Sequence, residues 1–275
     1  MNMNKGGYIK RIEIKSMWGH KHIVWDLRPD VNILSGMNGA GKSTILNLCV
    51  DQLDRIEAGQ EANSPDNGVN FVFSPEGTEC VSYDVIRSID RPLMNSNLLE
   101  KMSDRNVKSE LDWQLYKLQR RYLDYQVNIG NRTISMLTSG DPARMAQAAQ
   151  EAMPKARFMD YVDELFHDTG KKIVRDSNEI VFDQFGTRLL PYSLSSGEKQ
   201  LLVVLLTALV QDNQPGVLLM DEPEISLHVE WQQQLLRRVR SMNPNVQVIM
   251  TTHSPAVIMD GWMDAVVDVA DITVE

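Results

Sequence analysis

The stretch Gly36-Met37-Asn38-Gly39-Ala40-Gly41-Lys42-Ser43-Thr44 constrains this chain more than any other. Gly36 and Gly41 stand either side of four residues and are followed by Lys and Ser, a phosphate-binding pattern. Gly36, Gly39 and Gly41 let the backbone curl so that its amides point inward at an anionic chain. Lys42 is then placed to reach the terminal phosphates, and the Ser43 hydroxyl to join the shell of a magnesium ion. Val31 to Ser35, ahead of the loop, reads as a buried strand, and Ser43 to Leu53 after it as a helix. Strand, loop and helix together make the pattern a nucleoside triphosphate site. Its expected contacts are Asn38, Gly39, Ala40, Gly41, Lys42, Ser43 and Thr44.

A chain of 275 residues that is 43% hydrophobic has enough apolar surface for a full core. Its formal net charge of −9 argues against coating nucleic acid by overall charge, though not against a local basic patch. Cys49 and Cys80 lie far apart and suggest reduced thiols rather than a disulfide framework or metal site. Met1 to Gly7 is polar, and no apolar run approaches the length of a membrane span. The expectation is a cytoplasmic protein with no membrane partner.

Tyr8 to Ile14 alternates apolar and polar, and His22 to Leu27 reads as a second strand, with Met17 to Lys21 as the turn. A short antiparallel pair thus feeds into the phosphate-loop strand. Trp18 either stacks on an adenine ring or packs locally. Glu57 to Gly68 reads as a loop, and Val69 to Ser74 with Cys80 to Ile86 as a further strand pair. Leu111, Leu115, Leu118, Tyr122 and Tyr125 recur at helical spacing within Asn95 to Gln126. That helix either covers the core or turns Lys117, Arg120 and Arg121 toward DNA or a partner protein. Ala143 to Ala152 and Lys155 to His167 read as helices parted near Pro154. Lys172 to Arg175 and Glu179 to Phe182 read as strands before a turn at Gly186.

A second constellation begins at Leu194-Ser195-Ser196-Gly197-Glu198-Lys199-Gln200, followed by the apolar helical run Leu201 to Val210. Ser and Gly at the mouth of a helix make an anion site, but the same residues also suit an ordinary N-cap with Glu198 in the first turn. Gly216 to Glu224 then places four apolar residues, Val217 to Met220, ahead of Asp221 and Glu222. Such a run suggests a strand buried on both faces, with its acids at the carboxyl end where open α/β sheets bind ligands. Asp221 suits a magnesium ion, and Glu222 suits activation of an attacking water. Glu230 to Met242 reads as a helix whose Arg237, Arg238 and Arg240 form a solvated or partner-facing cluster. Val246 to Met250 is another buried strand, and His253 beyond it stands beside the same crevice as a contact to the terminal phosphate. Ala265 to Val269 reads as the last strand.

In order, spacing and strand context the chain resembles the ABC-type ATPases. Gly36 to Thr44 looks like their Walker A, Leu194 to Gln200 their signature, Val217 to Glu222 their Walker B and His253 their switch histidine. The wording Leu194 to Gln200 and Asp221 to His228 is nearest the RecF-like, SMC-like and overcoming-lysogenization-defect branch. The resemblance implies an α/β P-loop core, a mixed and largely parallel sheet flanked by helices, with an N-terminal antiparallel part. Residues 1–58 and 169–275 would be nucleotide-binding halves of a single domain, and 59–168 a mostly helical insertion. It further implies a head-to-tail homodimer in which ATP on one Walker A is covered by Ser195, Ser196, Gly197 and Glu198 of the other copy. Lys42, Glu222 and His253 would be catalytic, with Ser43 and Asp221 holding Mg2+.

Departures from the transport branch are His228 where Asp is usual and the absence of any Gln between Gln60 and Gln114. The short stretch after His253 leaves no room for a TOPRIM nuclease, so a nuclease or toxin effector is expected on a separate chain. The favoured function is an ATPase subunit gating that effector in antiphage defence. A DNA-repair or chromosome-processing ATPase that touches DNA itself is the alternative, followed by a transporter subunit or a slowly hydrolysing scaffold.

Overall fold

A computed structural model describes residues 4–59, 68–88 and 106–274. The chain opens with β1 (Tyr8–Met17), β2 (Lys21–Asp26), β3 (Val31–Ser35) and α1 (Lys42–Glu57), then β4 (Val69–Ser74) and β5 (Tyr83–Arg87). Helices α2 (Glu110–Leu137), α3 (Pro142–Glu151) and α4 (Met153–Leu165) lead to the small strands β6 (Lys171–Ile173), β7 (Phe182–Gln184) and β8 (Thr187–Leu189). The last part runs α5 (Ser196–Val210), β9 (Gly216–Asp221), α6 (Val229–Met242), β10 (Val246–Thr251), α7 (Pro255–Met259), β11 (Val266–Asp268) and β12 (Thr273–Val274).

Two main sheets follow from two patterns of burial. β1 buries Ile9, Ile12, Ile14 and Met17 and wets most of the residues between them, as a strand with one covered face does. It lies in an antiparallel sheet of order β12-β2-β1-β4. β9 and β10 instead bury nearly every residue and sit inside a parallel sheet of order β11-β3-β10-β9-β5. The buried Gln247 of β10 joins the sheets: its amide donates to the carbonyls of Ile9 (2.8 Å) and Arg28 (2.7 Å), and its Oε1 accepts from Ile9 N (3.0 Å). The expected α/β core with an antiparallel N-terminal part is therefore present.

Three expectations change. Val69–Ser74 and Tyr83–Arg87 do not pair; β4 joins β1, and β5 lies parallel to β9, Tyr83 opposite Val217 through to Arg87 opposite Asp221. Ile86 belongs to the core around α5, while Tyr83 and Val85 pack on the α1 side. A strand wanted on both faces finds cover only in the parallel sheet. Residues 59–168 thus give a strand to each sheet before their helices begin. Glu179 to Val181 is not the predicted strand, because Gln119 of α2 bonds both the N–H and the C=O of Ile180. The strand begins at Phe182 and returns through β8 across Phe185-Gly186, both at positive φ (53° and 83°), the twist-matched hairpin geometry. Beyond β11, β12 pairs with β2 and is the true last strand.

The helix expected around Leu111 to Tyr125 covers the core. Its buried side chains pack with those of α5 in one cluster, and an ion pair from Lys199 to Asp112 (2.8 Å) pins its start. Its basic residues are dispersed: Arg121 forks onto Asp84, Lys117 lies over the Trp113 ring, and Arg120 over Tyr116. Residues 95–105 of that stretch lie outside the described residues. On α6, Arg238 bonds Gln234 and Glu164 and Arg240 bonds the Val246 carbonyl, so only Arg237 is mostly solvated. Cys49 and Cys80 are free and buried, and burial pushes the Cys49 thiol up to about 12. Among the described residues no helix is long and apolar enough to cross a membrane.

Helix α5 is the hub of the larger core, with Leu202, Val204, Leu205 and Leu206 fully buried. Leu205→Ala is expected to destabilise the chain by about 3–4 kcal/mol, the loss of transfer energy plus a cavity. Urea unfolding checks it, and a loss under about 1 kcal/mol would show that α5 is not a packed element.

Candidate active site

The parallel sheet brings the carboxyl ends of β3, β9 and β10 side by side. The phosphate loop leaves β3, Asp221 and Glu222 leave β9, and His253 leaves β10, so chain segments as far apart as Ser43 and Asp221, 178 residues, meet in one crevice. A cavity of about 290 Å³ there is lined by Trp18, Asn38, Gly39, Gly41, Lys42, Ser43, Thr44, Glu222 and His253. Of the expected phosphate contacts only Ala40 is absent from that lining. A larger, more apolar cavity of about 400 Å³ shares His253 but is walled by Ile258, Met259 and Met263, and it holds neither Lys42 nor Glu222. Lys42, Ser43 and Glu222, the residues expected to carry the chemistry, line the smaller one.

The loop has the shape its glycines predict. Gly41 lies at φ +112°, and a Cβ there would approach Met17 Cε to 2.9 Å and Trp18 Cη2 to 3.0 Å. Lys42 folds back over the loop, its Nζ donating to the carbonyls of Gly36 (3.0 Å) and Met37 (3.2 Å). Helix α1 starts here with no side-chain cap and no acid in its first turn. Its unpaired N–H groups and dipole therefore stand ready for an anion.

Asp221 Oδ1 accepts hydrogen bonds from Ser43 Oγ (2.9 Å) and Thr251 Oγ1 (2.6 Å). The next residue, Glu222, has φ +46°, an uncommon conformation for a non-glycine residue. Its N–H is held by Thr251 at both the hydroxyl (3.0 Å) and the carbonyl (3.2 Å). Its carboxylate turns into the cavity, with Oε1 3.3 Å from His253 Nε2. Thr251 thus sets both acids, a role the sequence did not suggest beyond a polar residue closing an apolar strand. A hydroxyl and a carboxylate face to face fit a magnesium ion that completes its shell with phosphate and water. Among the described residues no group of three or more His, Cys, Asp and Glu is placed to hold a metal ion.

Ser195, Ser196, Gly197 and Glu198 do not line this cavity. Ser195 caps α5, its Oγ 3.4 Å from Glu198 N, while Glu198 Oε2 accepts from Ser195 N (2.9 Å). The Glu198 side chain is buried, and its Oε1 takes Lys171 Nζ at 2.8 Å and Thr169 Oγ1 at 3.2 Å. Burial opposes its charge, but Lys171 and Ser195 together hold the carboxyl below its ordinary range. Glu198 therefore faces its own chain, whereas Ser195 and Ser196 are exposed. Gly197 packs so closely on the loop after β9 that a Cβ would lie 2.3 Å from the Ser226 carbonyl oxygen. Gln200 reaches the strand end itself: it donates to Ser88 Oγ (3.2 Å), which donates to the Asp221 carbonyl (2.7 Å).

Comparison with known proteins bears on this arrangement. The family model described as "AAA domain, putative AbiEii toxin, Type IV TA system" matches residues 86–260, which hold Ser195, Asp221, Glu222 and His253 but not the phosphate loop. The "Retron Ec83 probable ATPase" of Escherichia coli is 25% identical over 184 residues, 62% of this chain and 30% of that one. The "Retron Vc95 probable ATPase" of Vibrio cholerae serotype O1 biovar El Tor is 33% identical over 84 residues, 26% of this chain and 16% of that one. This chain thus spans under a third of either relative. The structure of an SmcHead bound to the C-winged helix domain of ScpA superposes with a TM-score of 0.52 at 16% identity, covering 95% of this chain and 93% of that one. That likeness is one of fold.

Proposed function

The chain belongs to this AAA-domain family and is an ATPase, and from that premise we propose that it closes on a second copy around ATP and thereby gates a separate effector, a nuclease or toxin, in antiphage defence. The observation that carries the reading is the split site. Lys42, Ser43, Glu222 and His253 share a cavity that Ser195 and Gly197 do not reach, while Ser195 and Ser196 stand exposed at the mouth of α5. A second copy, head to tail, supplies the match. The family description refers to a toxin system and two relatives carry the name retron probable ATPase, which supports the defence role.

In this reading residues 1–58 and 169–275 form the nucleotide-binding halves and 59–168 the insertion. Asn38 to Thr44 cradle the phosphates, and the half-exposed Trp18 ring, with Lys21 Nζ 5.1 Å from its centroid on one face, lies beside Gly41 as a surface for the adenine. Ser43 and Asp221 would hold Mg2+, which spreads the charge of the β- and γ-phosphates when bound. Glu222 takes a proton from water as its oxygen attacks the γ-phosphorus and the bond to the bridging oxygen of ADP breaks. His253 contacts the γ-phosphate and orients Glu222. Ser195, Ser196 and Gly197 of the second copy cover the phosphates, while Glu198 serves them by holding Ser195.

The dimer is tested by sedimentation of a Glu222→Gln variant. ATP with Mg2+ is expected to double its mass, and ADP is not. A monomer under both conditions overturns the reading.

A further inference from the structure

Glu224 has no part in the chemistry above, yet it is 6% exposed and sits between the loops that carry Glu222 and His253. Its Oε1 accepts the His253 N–H at 3.0 Å and a short bond from the Thr252 hydroxyl. Its Oε2 is buried without a hydrogen-bond partner. Burial, the largest influence, pushes this carboxyl above its ordinary range, against the lowering effect of its bonds to Thr252 and His253.

The surrounding bonds make a closed clamp. Gln232 of α6 donates to the carbonyls of Glu224 (3.4 Å) and Leu227 (2.9 Å), and its Oε1 accepts from Ser254 Oγ at 2.6 Å. On the other side, Glu222 N is held by Thr251. Every residue from Thr251 to Ser254 is thus tied to the loop after β9. The His253 side chain meets Glu222 across the cavity, its Nε2 3.3 Å from Oε1. The peptide that carries the ring is therefore placed from behind, by Glu224.

We propose that Glu224 is the positioning residue for His253: by anchoring the Thr252–His253 peptide it sets the ring against Glu222 and the γ-phosphate. The inference rests on the assignment of His253 to the phosphate. Glu224 works as a hydrogen-bond acceptor in this role and takes no proton from water. Two bonds from one buried oxygen hold a loop within the tolerance that catalysis demands, where a shift near 1 Å lowers a rate by about 10²-fold.

The test measures ATP turnover and KM in purified full chain. Glu224→Ala is expected to lower kcat by about 10²-fold with KM within about twofold, as loss of an interaction felt in the transition state does. Glu224→Gln keeps the accepting oxygen and is expected to stay within about threefold of the parent. The deciding measurement is a cycle with His253→Ala: in that background Glu224→Ala should cost less than about twofold more, because residues acting as a unit are not additive. Thr252→Val, which removes one bond to Oε1 at nearly constant volume, carries the same cycle should Glu224→Ala fail to fold. An undiminished effect of either change in the His253→Ala background overturns the proposal, as does a Glu224→Gln rate as low as that of Glu222→Gln. Loss on Glu224→Ala beside a fully active His253→Ala would instead remove the underlying role of His253.

Discussion

Glu222→Gln is expected to lower ATP turnover by about 10³-fold while ATP remains bound, the scale of a lost general base. The geometry favours this residue over its neighbours. Asp221 spends Oδ1 on Ser43 and Thr251, and Glu224 is buried behind the His253 peptide. Glu222 alone of the three lines the phosphate-loop cavity, on a backbone at φ +46° held by two bonds to Thr251. Gln keeps the size and one accepting oxygen but cannot take a proton. Phosphate release gives the rate and equilibrium dialysis with ATP and Mg2+ gives the binding. A fall of less than about threefold would show that another group activates the water.

The second large effect separates one copy's contribution from the other's. Lys42→Ala and Ser195→Arg are each expected to lower turnover by about 10²-fold or more, since each removes phosphate stabilisation from both sites of a symmetric dimer. In a mixed dimer of the two variants, one site has the intact Lys42 of the Ser195→Arg copy and the intact Ser195 of the Lys42→Ala copy. The other site carries both lesions. Random mixing makes about half of all dimers mixed, each with one working site of two, so about a quarter of the parental rate should return. If Ser195 served the Lys42 of its own chain, mixing would restore nothing. The structure favours recovery, because Ser195 and Lys42 share no cavity within one chain.

Both predictions use residues legible in the sequence, and that legibility has a cause. The loop from Gly36 to Thr44 is a local backbone demand: a curl that requires glycine at φ +112° can be read from glycine spacing alone. Val217 to Met220 and Val246 to Met250 are buried on both faces, so apolar runs declare them, the second broken only by Gln247. The ring of apolar positions on α2, from Leu111 to Tyr125, carries the same kind of information.

What escaped the reading is long-range pairing and the polar side chains that enforce it. Cys80 to Ile86 looked like the partner of Val69 to Ser74 because short alternating strands close in sequence usually pair, yet the strand there is Tyr83–Arg87 and its register is with Val217–Asp221. Glu198 looked like part of a face offered to another copy, and only its contact with Lys171 shows it turned inward. Thr251, Glu224 and Gln232 carry no local signature, since a buried polar group reveals itself only through the partner that satisfies it.

The sequence by itself determined a glycine loop at Gly36–Thr44 suited to a phosphate chain, apolar strands that end at Asp221, Glu222 and His253, and a helix opened by Ser195. These depend on backbone conformation and one-dimensional burial, which neighbours along the chain dictate. The tertiary structure decided which of them share a cavity. It gathered Lys42, Glu222 and His253, left Ser195 and Gly197 elsewhere, and placed Glu224 behind the histidine. Those outcomes rest on strand order and on hydrogen bonds between residues far apart in the chain, and so they exist only once the sheet has closed.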